Sequence, residues 1–242
     1  MKSLALLPII ALAAACGGVA DSGSAAMAAT GGVGAADAAH PTVVELYQSQ
    51  GCSSCPPAIA NVNGLADRPD ILPLMFAVTY WDQLGWKDTF ATPAYTERQW
   101  DYAHMQGRAQ VATPQVIVNG RAAVFGGDRA SLLRTIAANA RGLGGPSIAR
   151  TGAGVEVGAG TGGGATVWLV QYDPRPLSVP IRAGENGGRT LVHRDIVRSL
   201  TSIGTWSGAK ASFALPANNS AYKSAILIQR GKGGPIVAAA RI

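Results

Sequence analysis

Apolar positions fall into short blocks whose spacing changes from one segment to the next. Residues 42–49, TVVELYQS, are rich in β-formers and stop at Gln50-Gly51, which predicts a strand. In CSSCPPAIANVNGLAD, which follows, Ala58, Ile59, Val62, Leu65 and Ala66 recur at helical spacing, and the two prolines suit a first helical turn. Residues 71–80, ILPLMFAVTY, form a nearly unbroken apolar run suited to a strand covered on both faces. Residues 111–118, VATPQVIV, predict a third strand with Pro114 at its start, and Asn119-Gly120 marks a hairpin into a fourth over 121–125. Asp128 is placed to cap a helix carrying Leu132, Leu133, Ile136, Ala137 and Ala140, which Gly142 ends. The order is β-α-β, an insertion, then β-β-α.

The insertion, residues 81–110, holds three of the five Trp residues. Thr92-Pro93 starts a helix on which Tyr95, Trp100, Tyr102 and His104 ride. Its aromatic residues, Trp81 among them, suit either a substrate-binding wall or extra cover for the sheet. Asp82 closes the second strand and is placed to face such a site. His104 is either a general base or a packing residue. Beyond residue 143 the pattern changes to short β runs, such as ATVWLVQYDP and SAILIQRG, separated by Gly, Asn and Pro turns. That predicts a small antiparallel β domain over 143–242.

Composition narrows the class. Charged residues are 14% of the 242, against a usual ~25%, and 31 positions are Gly, which excludes a coiled coil or a charged disordered chain. The net charge of +6 is unevenly spread: residues 42–142 hold eight acids and eight bases, and 143–242 hold four and eleven. Arg182, Arg189, Arg194 and Arg198 therefore form either a face for an acidic partner or a solvated face. No nucleic-acid recognition motif accompanies them.

The first sixteen residues place one Lys before an apolar run over 4–15, long enough for a signal-peptide core and too short to span a bilayer. Export is expected, either as a periplasmic protein cleaved after Ala26-Met27-Ala28 or as a membrane-anchored lipoprotein, with Cys16 of Ala13-Ala14-Ala15-Cys16 as the lipidated residue. Residues 17–41, mostly Gly, Ala and Ser, form a flexible linker.

Cys52 and Cys55 remain, a C-x-x-C pair bound for an oxidising compartment. Such a pair is a redox couple, half of a metal site, or a structural clip. The three histidines, His40, His104 and His193, lie at spacings unrelated to a zinc site, so no metal or other cofactor is assigned. A clip across so short a loop adds little. A strand followed by C-x-x-C and a helix puts the thiols at a helix N-terminus, where the dipole favours thiolate. Cys52, first and more exposed, is the candidate nucleophile, and Cys55 the residue that resolves its mixed disulfide.

This order of elements, with C-x-x-C after the first strand and Thr113-Pro114 before the hairpin, resembles the thioredoxin fold over residues 42–142. More narrowly, VVELYQSQGCSSCPPA, YWDQLGWKD and GENGGRTL resemble a bacterial family of exported thioredoxin-like proteins known as a domain of unknown function. The resemblance implies an α/β, thioredoxin-like fold with a helical insertion, followed by the small antiparallel β domain. It implies a cis Pro114 beside the cysteines and a Thr113 backbone that receives substrate. It also implies a buried acid as proton relay, for which Glu45 is the candidate, its other reading being a hydrogen-bonded strand residue. Gly51 and Ser53-Ser54 depart from the thioredoxin pattern, which leaves the direction of electron flow open. The expected function is a thiol–disulfide oxidoreductase acting on a protein or small-thiol disulfide. The other reading is a thioredoxin-fold binding protein with a resting disulfide.

Overall fold

The computed structural model describes residues 36–216 and 221–242; residues 1–16, with Cys16, and most of the 17–41 linker lie outside them. The first half contains β1 (Thr42–Gln48), α1 (Pro56–Asn63), β2 (Ile71–Ala77), α2 (Pro93–Met105), β3 (Gln115–Val118), β4 (Ala122–Val124) and α3 (Arg129–Ala138). Local chemistry explains their limits. Pro93 opens α2, as Pro suits a first turn whose N–H has no helical partner. Asp128 caps α3, its carboxylate accepting the Ser131 N–H at 2.7 Å. Asn119 and Gly120, with φ of 49° and 65°, are the central residues of the turn between β3 and β4, which the Arg121 N–H closes by donating to the Val118 carbonyl at 2.9 Å.

The second half contributes β5 (Ile148–Thr151), β6 (Gly154–Val157), β7 (Ala165–Asp173), β8 (Leu177–Pro180), β9 (Thr190–His193), β10 (Ile196–Trp206), β11 (Ala211–Ala214), β12 (Lys223–Arg230) and β13 (Ile236–Arg241). Strands β11, β6 and β5 form a small sheet, and β8 and β9 pair as a hairpin. The others join the first half in an eight-stranded sheet of order β13-β12-β7-β10-β2-β1-β3-β4. This sheet is mixed: β1 runs parallel to β2 and antiparallel to β3, and β7 is antiparallel to both β10 and β12. Its two halves meet where Ile196 bridges Met75. Pro73, which has no N–H to give, lies outside that bridge and so leaves no ladder bond broken on that side.

The expected α/β, thioredoxin-like fold with a helical insertion and a separate β domain is corrected by this arrangement. The described residues are mostly β, thirteen strands against three α-helices, and one sheet takes strands from both halves of the chain. The period of a strand identifies it as a strand but does not say which distant strand will pair with it, and β10 pairs with both β7 and β2.

Alternation along β1 sorts the core. Val44 and Leu46 pack with Ile59 and Val62 of α1, Leu132 and Ile136 of α3, and both cysteines. Val43 and Tyr47 face the other way, among Leu72, Leu74, Phe76, Tyr95 and Tyr102, so α2 covers the opposite face. A third cluster gathers Trp206 with strands β6, β7, β12 and β13.

Candidate functional site

Cys52 and Cys55 lie at the turn from β1 into α1 and are joined by a disulfide. The surrounding backbone is held from several distant segments. Asp88 accepts the Gln50 N–H at 2.7 Å and the Phe90 N–H at 2.9 Å. The Trp86 indole donates to the Gln50 side-chain oxygen at 2.8 Å. From the loop between β8 and β9, the Asn186 amide donates to the Gln50 carbonyl at 2.9 Å and the Cys52 carbonyl at 2.8 Å. Glu185 in the same loop accepts from both the Ser53 N–H, at 3.0 Å, and the Ser53 hydroxyl, at 2.7 Å. Those two bonds hold the Glu185 carboxyl below its ordinary range.

Two polar groups touch the Cys52 sulfur. The Ser54 hydroxyl lies 3.3 Å away and the Thr113 carbonyl oxygen 3.7 Å away. In the disulfide the second is a contact only, because the sulfur carries no proton; in the dithiol the S–H has that oxygen as acceptor. The Ser54 hydroxyl is also 3.4 Å from the same carbonyl, so rotation about one bond lets it serve the carbonyl or a thiolate. Thr113 is itself oriented by Trp81, whose indole donates to its hydroxyl at 2.7 Å. The Thr113-Pro114 peptide is cis. Trp81, Thr113 and Pro114 thus stand beside the disulfide.

Asp82 is one step further out and accepts the Asp88 N–H at 3.1 Å, so it supports the loop that carries Asp88. Burial pushes the Asp88 carboxyl up to about 6, and its two backbone donors oppose that rise.

Three expectations are corrected. Cys52 is not the exposed member of the pair: both cysteines are 0% exposed. The helix N-terminus also offers less to a thiolate than its position suggests. Pro56 and Pro57 occupy the first two helical positions and have no N–H, and the Cys55 N–H is engaged by the Cys52 carbonyl at 3.2 Å. Finally, Glu45 is not brought to the cysteines. Strand alternation sends it to the α2 face, where Arg98 donates to its carboxylate at 2.8 Å and the Tyr102 hydroxyl donates as well. Arg98 also donates to Gln229 at 2.9 Å and to the Tyr102 hydroxyl at 3.1 Å. Burial opposes its charge, but Glu45, Tyr102 and Tyr47 around it together outweigh that and hold the guanidinium protonated.

Of Arg182, Arg189, Arg194 and Arg198, three are engaged, each with a different partner. Arg194 pairs with Asp67, Arg198 with Asp173, and Arg189 donates to the Asn186 oxygen at 3.0 Å, while Arg182 is exposed. His104 is exposed on α2 beside Trp100. Among the described residues, no three His, Cys, Asp or Glu side chains come together as a metal site.

Residues 43–229 match the profile of a family described as a protein of unknown function, DUF1223. The chain belongs to the DUF1223 family. The match spans all three segments on which the resemblance to a domain of unknown function rests, and it adds no substrate. Among solved structures, this DUF1223 chain is similar to protein AGR_C_4864 from Agrobacterium tumefaciens, at 32% identity and a TM-score of 0.70, over 86% of this chain and 94% of that one. HBP35 of Porphyromonas gingivalis shares the fold at 12% identity and a TM-score of 0.55, over 86% of this chain and 76% of that one. None of the curated proteins matches the chain.

Sequence reasoning missed Ser54, Trp86 and Asp88 and, furthest off in the chain, Glu185 and Asn186. The last two belong to the GENGGRTL segment, which signals family without signalling a role. Their partners are more than 130 residues away in sequence.

Proposed function

We propose that this DUF1223 protein is a thiol–disulfide oxidoreductase working through Cys52 and Cys55. The observation that supports it is the setting of the Cys52 sulfur, which has a hydroxyl donor at 3.3 Å and a carbonyl acceptor at 3.7 Å. A clip has no use for such groups, whereas a sulfur that alternates between thiol, thiolate and disulfide is served by each in turn. Nor does the loop justify a clip: closing so few residues contributes about 2 kcal/mol, against roughly 3 for fifteen residues.

In the reducing direction, the Cys52 thiolate attacks one sulfur of a substrate disulfide, forming a mixed disulfide and releasing one substrate thiolate. The Cys55 thiolate then attacks the Cys52 sulfur, re-forming the internal bond and releasing the second thiolate, so two electrons pass to the substrate. The reverse sequence oxidises a dithiol. The electrons travel in the sulfur–sulfur bond, so the reaction needs no cofactor. The substrate is a protein or small-molecule disulfide. Thr113 and Pro114 bind it, with Trp81 beside them and Asp82 in support. The protein acts outside the cytoplasm, exported on its N-terminal apolar segment, with Cys16 as the lipid anchor where the lipobox is used.

A second reading, a binding protein with a resting disulfide, is favoured by the burial of both cysteines. Equilibration with glutathione buffers separates the two. A potential above about −300 mV, with a glutathionyl adduct on Cys52 in the Cys55→Ser variant, is the expected result. A lower potential and no adduct would leave only the resting bond.

A further inference from the structure

The loop that joins β8 to β9 makes four hydrogen bonds to the disulfide turn from outside it. It lies against the backbone of residues 50–53. Asn186 sits on two carbonyls of that segment, Glu185 on the N–H and hydroxyl of Ser53, and a side chain at Gly184 would meet the Gly51 Cα at 3.9 Å and the Trp86 Cβ at 3.4 Å. Its two anchors differ in kind. Asn186 is fully buried, spends both amide protons on carbonyls, and has its oxygen bonded by Arg189. Glu185 is exposed, so water competes for its partners. Gly184 and Gly188, with φ of +74° and +83°, flank the pair in the left-handed region that only glycine enters freely. The base of the loop is fixed while its tip is held by bonds that open easily.

We infer that residues 184–188 form a strap over the disulfide, with Glu185 as the latch and Asn186 as the positioning residue at its root. This rests on the redox reading above and adds to it a control on access. Glu185 occupies the two Ser53 donors from within the chain, as the carbonyl or carboxylate of an incoming polypeptide would from outside. Docking of a polypeptide disulfide at Ser53 then requires the latch to leave. Opening by a thiol reductant proceeds by attack of its thiolate on the Cys52 sulfur in line with the bond to Cys55. That gives a mixed disulfide and a Cys55 thiolate. A second reductant thiol then frees Cys52, so two thiols are oxidised to a disulfide as the protein pair is reduced.

The test is the rate of disulfide reduction by excess dithiothreitol in the full chain, read by alkylating the freed thiols, at 0.1 and 1 M NaCl. Glu185→Ala should accelerate it about fivefold, the scale on which one or two exposed hydrogen bonds shift an opening equilibrium. Glu185→Gln keeps an acceptor oxygen and should stay near the parent rate. Ser53→Ala keeps its N–H and should fall between. The melting temperature of Glu185→Ala should fall by no more than about 4 °C, the shift that matches a fivefold change in opening, and the acceleration should persist at high salt, which separates a latch from simple repulsion of the thiolate reductant. A parent disulfide that opens readily at a rate Glu185→Ala does not change overturns the strap and leaves the redox reading standing. A disulfide that dithiothreitol cannot open in any of the proteins overturns the redox reading, and the strap with it.

Discussion

Replacing Arg98 with Met tests the most heavily buried charge pair in the fold. Arg98 and Glu45 are 6% and 0% exposed, and the guanidinium lies 5.3, 5.6 and 5.8 Å from the rings of Tyr102, Trp168 and Phe76. Taking away the cation leaves a carboxylate in the core with one hydroxyl donor, and breaking a buried pair this way costs roughly 3–5 kcal/mol. At about 2–4 °C per kcal/mol for a chain of this size, the melting temperature should drop by roughly 6–20 °C. Urea unfolding followed by tryptophan fluorescence gives the same quantity at 25 °C. The paired replacement Glu45→Leu with Arg98→Met removes both charges and should recover most of the loss, because an apolar pair of similar volume is often as stable as the ion pair. Neither change should alter the rate of disulfide reduction, since the pair and the cysteines lie on opposite faces of the sheet. A loss under about 1 kcal/mol for Arg98→Met, or no recovery in the double variant, would refute the argument, while a changed reduction rate would restore Glu45 to the redox site.

Two further outcomes are expected. Asp88 holds its proton up to about 6 in the fold against 3.8 for the free side chain, so the native state binds more protons between those values and loses stability as pH rises through that window. The contribution is at most about 3 kcal/mol, and the difference in urea midpoint between parent and Asp88→Asn should change between pH 4 and 6 and level off above. Ser54→Ala removes the hydroxyl donor from the Cys52 sulfur, and ultraviolet titration of the reduced protein should show the thiolate forming at higher pH, by about one unit. An unmoved titration would mean that the hydroxyl serves the Thr113 carbonyl in both states.

Much of this architecture is legible in the sequence where the signal is local. The Asn119-Gly120 turn, the Asp128 cap, the Pro93 helix start and the strand before the cysteines are each written in adjacent residues, and each is found in place. What escapes is non-local. ATVWLVQYDP in β7 alternates as a strand should, but nothing in it says that β10 will sit beside it and carry the sheet across to β2. Glu45 has the right residue type for a relay, yet its parity along β1 turns it away from the cysteines, and only a known helix face on each side shows this. The missing N–H groups at Pro56 and Pro57 are plain in the sequence and count against the very dipole effect the helix start suggests.

The 134-residue separation between Cys52 and Asn186 also sets an order of events during synthesis. At 5–20 residues per second, the cysteines precede their buried partner by roughly 7–27 s. Through that interval the two thiols lack the contacts that Glu185 and Asn186 make to residues 50–53. With the proposed strap docked, the same pair answers only to reagents that get past it, so one chain has two chemical temperaments, a compliant one while nascent and a guarded one when complete.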